Sequence, residues 1–330
     1  MKNLNKILGA LSILCVGVMM TSCEEKEYAI PAAKTHLQND VIKRSLGPNM
    51  AGLNIEFAYA MALGTEKGKL VDAKVEASIP GAEGTYLEHR SFYTNGSGQD
   101  VGIQIGNPSV TSGGTTTVTF TKDTSAATLR YFYRIPESAK GQKVSFKFTA
   151  KASTGETVSY DMGPYDIAKM DYRLDIPVRD SSAAFISIED MRVYSAAEAA
   201  SVANKIDLVY LYRTVPGITF NHSLLSPGSS SPYLAGTYKP SAANRVSKIR
   251  KEWGLRDFHL ARSQFGVYID DVDFEQIDLS TMQDEAINLR AESGVWVETA
   301  DGQYRAYIYF NSVNNNNRSA VISIKRYKMQ

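Results

Sequence analysis

From Asn54 onward, hydrophobic and polar residues alternate along much of the chain, and period two marks strands with one buried face. In "NIEFAYAM" the apolar set is Ile55, Phe57, Tyr59 and Met61. In "VDAKVEASI", Val71, Ala73, Val75, Ala77 and Ile79 alternate with Asp72, Lys74, Glu76 and Ser78. "TTTVTFT", "LRYFYRI" and "KVSFKFTA" continue the pattern with Val118 and Phe120, then Leu129, Tyr131 and Tyr133, then Val144, Phe146, Phe148 and Ala150. Turn residues separate these runs at Asn95-Gly96, Ser112-Gly113-Gly114 and Ser153-Thr154-Gly155. Several short alternating strands with no amphipathic helix between them predict an antiparallel β-sandwich over residues 46–170.

The pattern changes across "MGPYDIAKMDYRLDIPVRDSS", which places a boundary near residues 165–182. Beyond it, strands and short helices mix. Ser195 and Glu198 form a capping box at the start of an alanine-rich helix. "KIDLVYLYR" and "AVISIKRY" read as buried strands, and "GVWVETADGQYRAYIYF" as a hairpin about Asp301-Gly302, a type I′ turn. In "KPSAANRVSKIRKEWG", Pro240 suits a helix start, Val246, Ile249 and Trp253 fall at helical spacing, and Gly254 supplies a stop. A further helix is expected from Ser280 or Thr281. The fold class expected is mainly β, an N-terminal immunoglobulin-like antiparallel β-sandwich (46–170) followed by a β-rich α+β domain (171–330). The immunoglobulin resemblance is architectural, because the Cys-Trp-Cys hallmark of antibody domains is absent.

The first residues follow a different logic. Lys2 and Lys6 precede an uncharged apolar run, Ile7 to Met20, that ends in Thr21 and Ser22, the form of an export signal over residues 1–22. The run is short for a membrane span, which needs about 20 apolar residues. Met20-Thr21-Ser22-Cys23 resembles a bacterial lipobox, which implies cleavage before Cys23 and lipidation of its thiol. Cys15, the other cysteine, lies in the discarded run, so the processed chain forms no disulfide. Glu24, Glu25 and Glu27, around Lys26, resemble the acidic export signal of Bacteroidetes-type lipoproteins, with a solvated spacer as the plainer alternative. Residues 23–45 read as the acylated N-terminus and a tether.

Composition narrows the function. The 36 basic and 35 acidic residues nearly cancel, and loss of Lys2 and Lys6 leaves a net charge of −1. Such a chain lacks the basic stripe that nucleic acid requires. The strongest acidic group is "YIDDVDFEQID". Set against the D-G-x-D-x-D-x-E pattern of chitinase-type glycosidases, it has Asp271 at the Gly position and Ile277 at the acid. Counted as an EF-hand loop from Asp271, it has Gln276 at the sixth place and Met282 at the twelfth. A calcium site of another kind at Asp270, Asp271 and Asp273 is the alternative to a solvated segment. The four histidines are scattered, "SPGSSSP" lacks a nucleophile elbow, and "TNGSGQD" lacks the lysine of a phosphate loop. No catalytic set, metal or cofactor is expected. With 19 Tyr, 12 Phe and 2 Trp, binding is better supported by composition. If Ala306, Ile308 and Phe310 face the core, Trp296, Tyr307 and Tyr309 form either a ligand platform or a second packed layer. Arg245, Lys248 and Lys251 make a basic face on the expected 241–253 helix, solvated or open to an anionic partner.

The lipobox with trailing acids, "YSAAEAA", "KIDLVYLYR" and the closing "VETADGQYRAYIYFNSVNNNNRSAVISIKRYK" together resemble Bacteroidetes surface lipoproteins of unknown function, of the kind encoded beside SusC/SusD-like nutrient importers. The resemblance implies an outer-membrane lipoprotein facing the cell exterior, a non-catalytic accessory or ligand-binding component of glycan or peptide uptake. Fimbrillins, which are similar in lipobox, length and β-rich domains, give the alternative of a structural or adhesive subunit, with Arg44 as the site of an arginine-directed cut. Cys23→Ala is expected to leave the folded part intact and move the protein from the membrane to the soluble fraction, as detergent fractionation would show.

Overall fold

The computed structural model describes residues 34–263 and 265–329. The expectations for the signal peptide, Cys23, Glu24, Glu25 and Glu27 lie outside the described residues. The first module contains β1 (Gln38–Lys43), β2 (Asn54–Ala62), β3 (Leu70–Ala77), β4 (Tyr86–Leu87), β5 (Arg90–Thr94), β6 (Asp100–Gln104), β7 (Val110–Ser112), β8 (Thr115–Thr119), β9 (Ala126–Arg134), β10 (Lys143–Ala152) and β11 (Thr157–Asp166). Two antiparallel sheets, ordered β1-β2-β9-β4 and β11-β10-β3-β8-β7, make a sandwich, with β5 and β6 as a separate hairpin.

Sequence alternation converts directly into burial here. Ile55, Phe57, Tyr59 and Met61 of β2 are buried while the residues between them are not, and β9 and β10 alternate in the same way. Aromatic rings fill the space between the sheets. Phe57 meets Phe146 and Phe148 at 4.9 and 5.2 Å, edge to face, an arrangement that adds about 0.5–1.5 kcal/mol per pair beyond burial. The buried phenols keep partners: the Tyr133 hydroxyl donates to the Ile79 carbonyl at 3.0 Å, and Tyr59 accepts from Asn39 at 3.2 Å. The tether expectation for 23–45 is corrected in its second half, since Gln38–Lys43 is an edge strand paired with β2, and Val41 is buried in the core. One buried residue among exposed neighbours left too little periodicity to reveal it.

The second module contains β12 (Asp171–Arg179), β13 (Ala183–Ser187), β14 (Arg192–Ser195), β15 (Leu208–Val215), β16 (Ile218–Leu225), β17 (Lys248–Trp253), β18 (Glu285–Leu289), β19 (Ser293–Glu298), β20 (Tyr304–Asn314) and β21 (Ser319–Lys328), with helices α1 (Ala196–Ala199), α2 (Phe258–Ala261) and α3 (Asp271–Gln276). The ten strands form one sheet ordered β17-β19-β20-β21-β12-β13-β15-β16-β18, with β14 beside β13. Its two ends meet where Ile249 and Gln283 exchange backbone hydrogen bonds of 2.6 and 3.0 Å, so the sheet is a nearly closed barrel.

Ser195 and Glu198 make the expected capping box on α1. The helix expected over 241–253 is instead β17 with its approach, because residues 248–253 pair with β19; Ile249 is buried while Val246 and Trp253 are exposed. No helix starts at Ser280 or Thr281, and Glu285–Leu289 is a strand paired with β16. The hairpin at 299–303 is present, but only Gly302 of the central pair takes a positive φ, 67°, and Asp301 accepts hydrogen bonds from Thr299 and Gln303 across a longer loop.

A cover that runs from Leu255 to Ile277, described at 255–263 and 265–277 and bearing α2 and α3, lies over one face of β19, β20 and β21. Beneath it Lys325 of β21 and Asp257 are both fully buried, Nζ to Oδ2 at 2.5 Å. Asp257 also accepts the backbone N–H groups of Leu260 and Ile269, and Lys325 donates to the Ile269 carbonyl. Burial pushes the lysine below its usual value while Asp257 opposes the shift.

Two expectations follow. Lys325→Met leaves the Asp257 carboxylate buried and uncompensated, which costs about 3–5 kcal/mol, measurable by denaturant unfolding. Burial lowers the His259 imidazole from 6.5 to about 4, Lys325 acting the same way and Asp257 opposing; burial also lowers His222. Both rings take up protons more readily when unfolded, so each contributes stability that is complete above 6.5 and declines as pH falls, for His259 toward about 4. The denaturation midpoint should drop over that interval, and His259→Asn should shrink the drop.

Candidate functional site

Trp296, Tyr307 and Tyr309 do not form a ligand platform. They are 5%, 0% and 3% exposed, packed against Phe274 and the Leu255–Ile277 cover. Trp296 and Tyr307 face each other across β19 and β20 with ring centroids 4.7 Å apart, and the Tyr307 hydroxyl donates to the Leu255 carbonyl at 2.5 Å. Tyr307 lies so close over Gly294 that a Cβ there would meet its hydroxyl at 1.8 Å, which explains the glycine. Alternation along β19 and β20 holds, but both faces are covered: Val295, Val297, Ala306 and Ile308 belong to a second apolar cluster.

Asp270 and Asp273 are engaged with each other and with the start of α3, while Asp271 is engaged through Oδ2 alone, its buried Oδ1 having no partner among the described residues. Asp270 caps α3, accepting from Val272 and Asp273, and Asp273 accepts the Asp270 N–H in return. Asp271 accepts the Lys169 N–H at 2.8 Å, with its carboxyl pushed up by burial. Among the described residues no cluster of three or more His, Cys, Asp or Glu is arranged to hold a metal ion. The basic residues do not share a free face either. Arg245 pairs with Asp207 and Asp301, Lys248 with Glu298, and Lys251 donates to the carbonyls of Ile287 and Asn288.

The arrangement best suited to a ligand is a cavity of about 420 Å³ beside β13 and β15. Its floor is Ala184 and Phe185 of β13 with Val209 and Leu211 of β15, two strands joined through the Phe185–Val209 pair. Asp180 and Ser181 come from the tight β12–β13 turn, where Ser181 takes a φ of 63°. Gly236, Thr237 and Tyr238 come from the loop between β16 and β17.

Arg213, near the end of β15, joins these parts. Its guanidinium donates to Asp180 at 2.8 Å and to the Thr237 hydroxyl at 2.9 Å, bracing the loop against the turn. The Asp180 side chain is only 2% exposed, and Arg213 is the cation paired with it. Asp180 also accepts from the Ser181 hydroxyl. Tyr238 is 62% exposed, with its ring perpendicular to buried Phe185 at 6.4 Å. An apolar floor, a paired carboxylate and guanidinium, two hydroxyls and an exposed aromatic therefore converge on one concavity, the usual make-up of a small-molecule site. Sequence reasoning missed it because Asp180, Arg213 and Tyr238 stand in three separate stretches, none a motif; only the serine- and glycine-rich loop was visible.

Residues 34–167 match the family described as domain of unknown function DUF4466, and residues 168–329 match domain of unknown function DUF8576. A crystal structure of a DUF4466 family protein from Parabacteroides merdae is similar at 44% identity and a TM-score of 0.83, over 90% of this chain and 100% of that one. The major pilin subunit BcpA of Bacillus cereus is 7% identical at a TM-score of 0.28, over 87% of this chain and 66% of that one. The C-terminal fragment of the major pilin GBS80 of Streptococcus agalactiae is 13% identical at a TM-score of 0.27, over 56% and 74%. The search of curated proteins gives no match. The sandwich, the barrel and the identity to the Parabacteroides protein across nearly the whole chain lead to one conclusion: this chain belongs to the DUF4466 family.

Proposed function

We propose that the protein is a non-catalytic, ligand-binding accessory of a nutrient-uptake system for glycans or peptides. In this reading lipid on Cys23 anchors it in the outer membrane and Glu24, Glu25 and Glu27 direct it to the cell exterior. The observation that carries the binding half is the cavity, whose polar groups are held by paired strands and by the Arg213 brace. Its carboxylate is engaged by a guanidinium, an arrangement suited to recognition more than to proton transfer. The surface location is supported by the lipobox and acidic stretch, and the partnership with a SusC/SusD-like importer by the same sequence resemblance.

The fimbrillin-like alternative has one observation in its favour. β1 is an edge strand and exposed Arg44 follows it directly, so a cut there would free the β2 edge for another chain. Against it, the Arg44 N–H is bonded to the Glu56 carbonyl at 2.7 Å, which holds the backbone in place instead of presenting it to a protease.

Gentle detergent extraction followed by pull-down of the full chain is expected to recover a SusC/SusD-like pair in stable proportion. Self-polymers whose subunits begin at Ser45 would establish the alternative, and turnover of a glycan or peptide by the purified protein would overturn both.

A further inference from the structure

We propose that the cavity beside β13 and β15 takes a neutral saccharide, with hydroxyls of one ring bonded to Arg213 and to the Ser181 and Thr237 hydroxyls and the C–H face of the ring lying on Tyr238. This rests on the binding reading above and names the ligand class for that site.

The polar end sets the first condition. Arg213 and buried Asp180 lie 2.8 Å apart, so the guanidinium meets the cavity with its charge already compensated. Of the five guanidinium N–H groups, those toward Asp180, the Tyr212 carbonyl and Thr237 are engaged among the described residues, which leaves donors for a ligand oxygen. The Ser181 hydroxyl, which donates to Asp180, is left able to accept, and the Thr237 hydroxyl, which accepts from Arg213, is left able to donate. A ligand hydroxyl is both donor and acceptor, so the hydroxyls of one sugar ring can satisfy these groups and the guanidinium together.

Other ligand classes meet specific penalties. An anion would find the Arg213 charge neutralised and the nearby carboxylate repulsive. A wholly apolar ligand would strip water from the charged pair without replacing its hydrogen bonds. A peptide adding as a strand needs an open sheet edge, but β13 and β15 are flanked on both sides in the order β12-β13-β15-β16.

The apolar end sets the second condition. Tyr238 offers an exposed ring steadied by perpendicular Phe185, and Val209 and Leu211 continue the surface below. A sugar ring has C–H faces that lie against such a surface while its rim makes hydrogen bonds. A volume of about 420 Å³ lies toward the small end of ligand pockets and suits a short saccharide more than a long polymer.

The test uses the full chain carrying Cys23→Ala and a panel of neutral methyl glycosides and disaccharides of hexoses, deoxyhexoses and pentoses, with uronic acids and tripeptides alongside. Saturation-transfer NMR and calorimetry are expected to detect one or more neutral saccharides. Tyr238→Ala should weaken that binding about tenfold. Because Tyr238 is largely exposed, its melting temperature should stay unchanged. Asp180→Asn, which removes the charge that holds Arg213 in place, should also weaken binding.

Equal binding to wild type and Tyr238→Ala would overturn the site. Binding of only uronic acids or peptides, or of no panel member up to about 10 mM, would overturn the ligand class. Recovery of the importer pair by pull-down in either case would leave the accessory role standing, so the two failures are separable.

Discussion

The Lys325–Asp257 pair is the constraint around which the second module is arranged. A lysine in the middle of a barrel strand has no access to water at 0% exposure, and its charge is tolerable only with a partner brought to it. That partner comes from the Leu255–Ile277 cover and simultaneously caps α2 and holds the backbone at Ile269. The cover is thereby fixed at one point against β21, and the rest follows from its position. Phe274 stacks on Tyr327 with nearly parallel rings, 7° apart, and Arg305 donates to the carbonyls at the end of α3. Asp271 reaches the Lys169 backbone at the join between the modules, where Met50, Leu53 and Met170 share the same apolar cluster. One desolvated ion pair thus positions the layer through which sandwich and barrel are packed together.

That layer also explains what could be read from the amino-acid order and what could not. In the sandwich, strands such as β2, β9 and β10 have one face in the core and one toward solvent, and alternation of residue type is the direct image of that asymmetry. In the barrel the asymmetry disappears. β19 is buried at five of its six positions, because its second face lies under the cover, so Trp296, Tyr307 and Tyr309 look like surface aromatics by their parity and are core by their surroundings. β17 shows a different failure. Its apolar residues happen to fall at helical spacing, but pairing with β19 decides the conformation, and the spacing is left as coincidence. Local chemistry with local partners was legible at the Ser195–Glu198 box, though the equivalent box at Asp270 and Asp273 went unread because its acids also suggested a cation site. The cavity is the opposite case: Asp180 and Arg213 become neighbours only after β12, β13 and β15 are laid side by side, and nothing within either stretch announces the other.

The division of labour between the modules follows from the same geometry. The sandwich seals its largest aromatic cluster, Phe57, Tyr59, Tyr131, Tyr133, Phe146 and Phe148, between its sheets, and leaves Tyr86, Tyr93 and Tyr160 exposed. The barrel module has a long loop between β16 and β17, and fastens it at Thr237 and Tyr238 beside a charged pair. A loop braced in this way is a place where residue identity can vary without disturbing the strands beneath.

The barrel's seam has a consequence of its own. β20 and β21 are matched from Tyr304 to Asn314, whereas the two ends of the sheet are joined through Ile249 and Gln283, and β12 meets β13 only at Arg179 and Ala183. Opening a sheet costs roughly in proportion to the hydrogen bonds and apolar contacts given up, so excursions from the native state should begin at such short joins, well below the free energy of global unfolding. The amides of Ile249 and Gln283 would then exchange with solvent ahead of those in β20 and β21. The ring therefore behaves as a band with a clasp, in which short contacts rather than long ladders determine how often a closed sheet gains two free edges.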